Sequence, residues 1–161
     1  MADVSPKLFI SYAREDSRDI AQRLHEDLRA AGHDVWIDLS EIEAGASWSR
    51  DIEEAIEGAD IVLALLSAGS YVSEICRAEQ LRALRKGKRV IPMLVQADAD
   101  RPLHLENLNY LDFTDMAIYG TALMTLFKAI STGQIPARVD STATATVPIT
   151  KPTVRKEKRD S

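Results

Sequence analysis

Cysteine is nearly missing from this chain: Cys76 is the only one in 161 residues. No internal disulfide can form, which fits a reducing compartment. Long apolar runs are missing too, and none approaches the ~20 residues that span a bilayer. The opening Met1-Ala2-Asp3-Val4-Ser5-Pro6 lacks the charged-then-apolar order of a signal segment. These absences predict a cytoplasmic protein that does not engage a membrane. There is no excess of basic charge: the net charge is −5. Residues 132–161 carry +3, which leaves −8 on residues 1–131. An acidic body argues against nucleic acid as a ligand. No internal repeat is visible. His25, His33 and His104 share no ligand spacing with one another or with Cys76. They read as surface or turn histidines, and no metal site is expected.

What is present is a globular composition, 45% hydrophobic and 28% charged. A core of this size folds without a disulfide or a metal. Apolar runs and helical stripes alternate along the chain. Lys7 to Ser11 reads as a buried strand. Ser17 is placed to cap a helix striped by Ile20, Ala21, Leu24, Leu28 and Ala31 and stopped at Gly32. Asp34 to Asp38 is a second strand, and Leu39 to Ala46 a loop. A helix follows with Trp48, Ile52, Ala55, Ile56 and Ala59 on one face. Asp60 to Leu66 is an almost wholly apolar third strand, as expected where both sheet faces are covered. Ser67 to Tyr71 reads as a loop, and Ser73 opens a third helix through Leu84. Arg89 to Val95 is a fourth strand in which Pro92 suggests an edge or a bulge. Tyr110 to Phe113 is a short fifth strand and Ala117 to Ile130 the last helix. Strand–helix alternation at this spacing predicts an α/β domain, a parallel sheet with helices on both faces. From Thr132 onward the composition cannot bury a core. The expected organisation is a domain over 1–131 and a disordered tail or linker over 132–161, leading to a further C-terminal domain of a longer protein.

Several tenants of such a fold are excluded by the first turn. Ser11-Tyr12-Ala13-Arg14-Glu15-Asp16 contains no glycine, so neither a dinucleotide fingerprint nor a phosphate-binding P-loop is present. A phosphoacceptor receiver would carry aspartate at the end of the third strand, where Ser67 stands.

Three blocks resemble one family. Phe9-Ile10-Ser11-Tyr12-Ala13-Arg14-Glu15-Asp16 is similar to the opening block of TIR (Toll/interleukin-1 receptor homology) domains. Val35-Trp36-Ile37-Asp38, then a loop to Gly45 and Trp48, resembles their second strand and the loop after it. Leu66-Ser67 followed by Ser73-Glu74-Ile75-Cys76-Arg77-Ala78-Glu79 resembles the bacterial pattern of Ser, a gap, then Ser-x-Trp-Cys-x-x-Glu, with Ile75 at the tryptophan position. The resemblance spans about residues 7–131. It implies a flavodoxin-like sheet of order 2-1-3-4-5. It also implies one of two functions. One is cleavage of NAD⁺ at the nicotinamide–ribose bond by a self-assembled effector module, with Glu79 catalytic and NAD⁺ as substrate rather than cofactor. The other is a non-enzymatic adaptor that binds other TIR domains. In either case the loop Leu39–Trp48 is the implied contact with a neighbouring copy.

In that strand order the ligand crevice lies where the order reverses, beyond the strand ends. Glu79 stands about a turn and a half into its helix, and helical side chains point back toward the N-terminus. Its carboxylate is thereby aimed at the crevice. Ser11, Tyr12 and Arg14 lie on the facing loop, where Tyr12 and Arg14 either contact NAD⁺ or form an ordinary exposed turn. Trp36 reads as core. Trp48 either walls the nicotinamide side or anchors its helix. Asp38 is either a second pocket carboxylate or a strand-end turn residue. Ser73 reads as a helix N-cap that remains compatible with ligand contact. Cys76 reads as a small buried hydrophobe beside Glu79.

Overall fold

The computed structural model describes residues 5–37 and 50–133. The apolar runs become five strands: β1 Lys7–Ser11, β2 Asp34–Trp36, β3 Ile61–Leu66, β4 Arg89–Leu94 and β5 Leu111–Asp112. All pair in parallel, in the order β2-β1-β3-β4-β5. The helices are α1 Arg14–Ala30, α2 Arg50–Gly58, α3 Ala68–Val72, α4 Glu74–Arg85 and α5 Tyr119–Thr132. The expected flavodoxin-like α/β architecture is therefore present, with its order reversal between β1 and β3.

Strand alternation divides the core into two. On β3, Ile61, Leu63 and Leu65 face one cluster, built with α1 and α5. Val62, Ala64 and Leu66 face the other, built with α2 and α4. All six are buried, which is what a central parallel strand covered on both faces requires. β1 follows the same rule: Leu8 and Ile10 belong to the α1/α5 cluster and Phe9 to the α2/α4 cluster. Phe9 stacks on Trp36, with ring centroids 4.9 Å apart. Trp36 is thus a core-packing residue on the α2 side, as its mid-strand position predicted.

Four sequence expectations need correction. Ser17 is not a helix cap. α1 begins at Arg14 after an extended Ala13 with no side-chain cap, and Ser17 is buried with its hydroxyl on Asp16. The segment after β3 is not a loop. It forms α3, started by a capping box between Ser67 and Ser70. Pro92 marks neither an edge nor a bulge, because β4 lies between β3 and β5 and its register with β3 is continuous. The N–H groups of Arg89 and Val95 both point toward β3. By alternation the Pro92 nitrogen faces the β5 side, where pairing begins only at Met93. The missing donor therefore breaks no ladder bond. Finally, His104 is not simply a surface histidine; its Nε2 lies 2.9 Å from Oε1 of the buried Gln80.

α1 stops at Gly32, whose φ of 99° suits glycine. α5 stops at Gly133 in the same left-handed region. The expected tail beyond it lies outside the described residues. No helix among the described residues is long and apolar enough to cross a membrane.

Candidate functional site

Ser11 ends β1, and alternation sends its side chain to the same face as Phe9, toward α4. There its hydroxyl donates to Oε1 of Glu79 at 2.7 Å. Both residues are buried, Ser11 fully and Glu79 at 6% exposure. A buried carboxylate is costly unless hydrogen-bonded, and Ser11 supplies such a bond from a residue 68 positions away. Glu79 therefore sits at the C-terminal end of β1, beside the order reversal.

α4 places the carboxylate. Ser73 is its N-cap, and the Ser73 hydroxyl accepts from the Cys76 N–H at 3.1 Å. Cys76 precedes Glu79 by three positions and so shares its helix face. The Cys76 thiol is pushed up to about 12, chiefly by burial and then by the Glu79 charge, against hydrogen bonds from Ser73 and Ser11 that pull it down. At neutral pH it is a protonated thiol, unsuited to nucleophilic chemistry.

The structure thus brings together Ser11, Ser73, Cys76 and Glu79. Tyr12 is half-buried against the α1/α5 cluster, on the other face of the sheet from Glu79. Arg14 opens α1 and is half-buried. Ile75, four residues before Glu79, is also half-buried. Asp38 and Trp48, and with them the loop Leu39–Trp48, lie outside the described residues.

Sequence reasoning missed a polar cluster next to this group. The Asp16 carboxylate accepts from Ser67, Gly69, Ser17 and Gln96. A local signal existed for part of it: Ser67 and Ser70 have the spacing of a capping box. A second omission is Gln80, 1% exposed and bonded to His104. Burial, and then the nearby Arg77 charge, hold the His104 imidazole below its ordinary range. The Gln80 Nε2 has no partner among the described residues. No group of three His, Cys, Asp or Glu among the described residues is placed to hold a metal ion.

A single buried carboxylate, bonded to a serine at a strand end beside the order reversal, can stabilise positive charge developing on a bound sugar or accept hydrogen bonds from its hydroxyls. Comparison with known proteins narrows the setting. The chain is 34% identical over 67 residues to the NAD(+) hydrolase PdTIR of Paracoccus denitrificans, a stretch covering 42% of this chain and 22% of that protein. It is 37% identical over 59 residues to the 2′ cyclic ADP-D-ribose synthase BtTIR of Bacteroides thetaiotaomicron, covering 37% of this chain and 21% of that one. The matched stretches are thus a minor part of both relatives. Among solved structures, the TIR domain of the Toll-related receptor TRR-2 from Hydra magnipapillata superposes with a TM-score of 0.65. It covers 79% of this chain and 99% of that one at 24% identity, a likeness of fold. A family model described as "TIR domain" matches residues 8–127. With three quarters of its length inside that match and the expected strand order in place, the chain belongs to the TIR domain family.

Proposed function

We propose that this TIR domain cleaves the nicotinamide–ribose bond of NAD⁺, with Glu79 as the catalytic carboxylate, when copies of the domain assemble. The observation that carries the reading is the buried Glu79 carboxylate held by Ser11 at the β1/β3 switch. The partial similarity to relatives named as an NAD(+) hydrolase and a cyclic ADP-D-ribose synthase supports the same chemistry.

The reaction suits one carboxylate. Ordinary glycosidases need a second to protonate the leaving oxygen. In NAD⁺ the bond from C1′ breaks toward a cationic pyridinium nitrogen, which keeps the electron pair and leaves as neutral nicotinamide. No general acid is required. Glu79 stabilises the ribosyl oxocarbenium ion or binds its hydroxyls. Water then adds at C1′ and loses a proton, giving ADP-ribose; attack from within the same molecule gives a cyclic product.

The test is nicotinamide release from NAD⁺ by the clustered protein, beside Glu79→Gln. Loss of a transition-state electrostatic partner is expected to lower kcat by ~100-fold or more. Activity that survives Glu79→Gln would overturn the site. No release from any assembled state would favour an adaptor that only binds other TIR domains.

A further inference from the structure

The Asp16 carboxylate takes no part in the chemistry proposed above, yet both of its oxygens are engaged. Oδ1 accepts from the hydroxyls of Ser67 at 2.8 Å and Ser17 at 2.9 Å. Oδ2 accepts from the Gly69 N–H at 2.8 Å and from Gln96 Nε2 at 3.3 Å. Donors from α1, from both the cap and the first turn of α3, and from the segment after β4 converge on one side chain. Gln96 closes the arrangement, its Oε1 accepting from the Ala68 N–H at 2.8 Å. Gly69 is required for the approach: a Cβ there would stand 2.8 Å from Asp16 Oδ2 and 3.1 Å from the Ala13 Cβ.

The consequence reaches Glu79 through one residue. Ser73 ends α3 and begins α4, acting as C-cap of the first and N-cap of the second. Wherever α3 is held, the first turn of α4 must follow, and with it Cys76 and Glu79. α3 has only five residues, too few to be stable by itself. Its position comes from tertiary contacts, and Asp16, with Gln96, supplies polar ones. From the other side, Ser11 leads directly along the chain to Asp16. β1, Glu79, Ser73, α3 and Asp16 thus form a closed ring of contacts.

We propose that Asp16 is a positioning residue: its clasp on Ser67, Gly69 and Gln96 fixes α3 and the start of α4 over the strand ends and thereby places the Glu79 carboxylate. The proposal rests on the catalytic reading of Glu79 given above. A carboxylate is suited to the position because it only accepts. Asparagine keeps the shape and can still accept from Gly69 and Gln96, but it removes the charge from every bond of the clasp and turns its N–H₂ on the Ser67 and Ser17 hydroxyls, which must reverse from donating to accepting. Gln96 cannot turn its amide to compensate without losing its bond to Ala68.

The chain's single thiol gives a direct reporter. Cys76 lies between Ser73 and Glu79, so its labelling rate by a chromogenic disulfide reagent measures opening of this segment alone. The comparison is wild type, Asp16→Asn, and Asp27→Asn, which takes the charge from the acceptor of the Tyr119–Asp27 bond between α1 and α5. All are labelled well below their melting temperatures. Asp16→Asn is expected to label at least ~10-fold faster than wild type while Asp27→Asn does not, as a clasp opened locally by ~1.4 kcal/mol or more requires. In the clustered NAD⁺ assay, kcat of Asp16→Asn is expected to fall ~10- to ~100-fold with KM within ~3-fold, because a misplacement of ~1 Å costs about that much. If Asp16→Asn does not fold, Gln96→Ala, which removes two of the clasp bonds, carries the same comparison. Unchanged labelling, or faster labelling with unchanged kcat, overturns the proposal. If wild type releases no nicotinamide, the NAD⁺ reading fails on its own, and the labelling rates still decide whether the clasp holds α4.

Discussion

The Cys76 thiol, 2% exposed between Ser73 and Glu79, gives the site a measurable electrostatic signature. Its value rises from an ordinary 9.0 to about 12, because burial and the neighbouring Glu79 charge disfavour the thiolate. The folded chain therefore holds this proton more tightly than the unfolded chain. The resulting contribution to stability is complete below pH 9.0 and is lost as pH climbs toward 12. Urea unfolding of wild type is expected to weaken more steeply above pH 9.0 than that of Cys76→Ala. Parallel curves for the two proteins would mean the thiol is solvated. The same residue shows what the sequence could and could not disclose. That Cys76 is buried follows from its type and helix position. That it shares an enclosure with Ser11 does not, because those residues are far apart in the chain and meet only when the sheet forms. Glu79 was likewise legible as a candidate only through its family resemblance; on local pattern alone it is one more helix glutamate. Its burial and its bond to Ser11 are products of tertiary structure.

Among the elements, β3 was the most legible and α3 the least. Six consecutive apolar residues with serine after them leave little choice but a central strand, and every one of Ile61–Leu66 is buried. Leu63 is fully buried in the α1/α5 cluster. Leu63→Ala is expected to cost ~2–5 kcal/mol from lost burial and the cavity left behind. Leu103→Ala, at a residue 83% exposed, is expected to stay within ~0.5 kcal/mol. Chemical denaturation of both variants checks the contrast, and equal losses would mean that β3 is not the centre of the core. Apart from the capping-box spacing of Ser67 and Ser70, α3 has no local helix signal. Ala68-Gly69-Ser70-Tyr71-Val72 contains a glycine and three residues of modest helix propensity. It is helical because Ser67 caps it and Asp16 grips its first turn from α1. The misreading of Ser17 has the same origin: the chain spends Asp16 and Ser17 on that clasp rather than on capping α1. Pro92 misled for a related reason, since its cost depends on which neighbour its nitrogen faces, and that is a property of the sheet.

For the molecule as a whole, the unequal charge bears on the assembly that the proposed activity requires. Residues 1–131 carry −8, and residues 132–161 carry +3. Two identical acidic bodies repel, and the repulsion between exposed charges weakens as salt shortens its range. If activity depends on copies meeting, it should depend on salt in a defined direction. Between about 10 mM and about 150 mM salt the Debye length falls from ~30 Å to ~8 Å. At a fixed, limiting protein concentration, specific NAD⁺-cleaving activity and weight-average mass are expected to rise together over that interval. At protein concentrations high enough to saturate assembly, the salt dependence should vanish, because the chemical step is internal to a formed site. Light scattering and nicotinamide release on the same samples test both halves. Activity that falls with salt at limiting concentration would show that the contacting surfaces attract through opposite charges, with the net-basic residues 132–161 as the first segment to delete. Activity indifferent to both salt and concentration would show that a single copy suffices, and the requirement for assembly would be withdrawn.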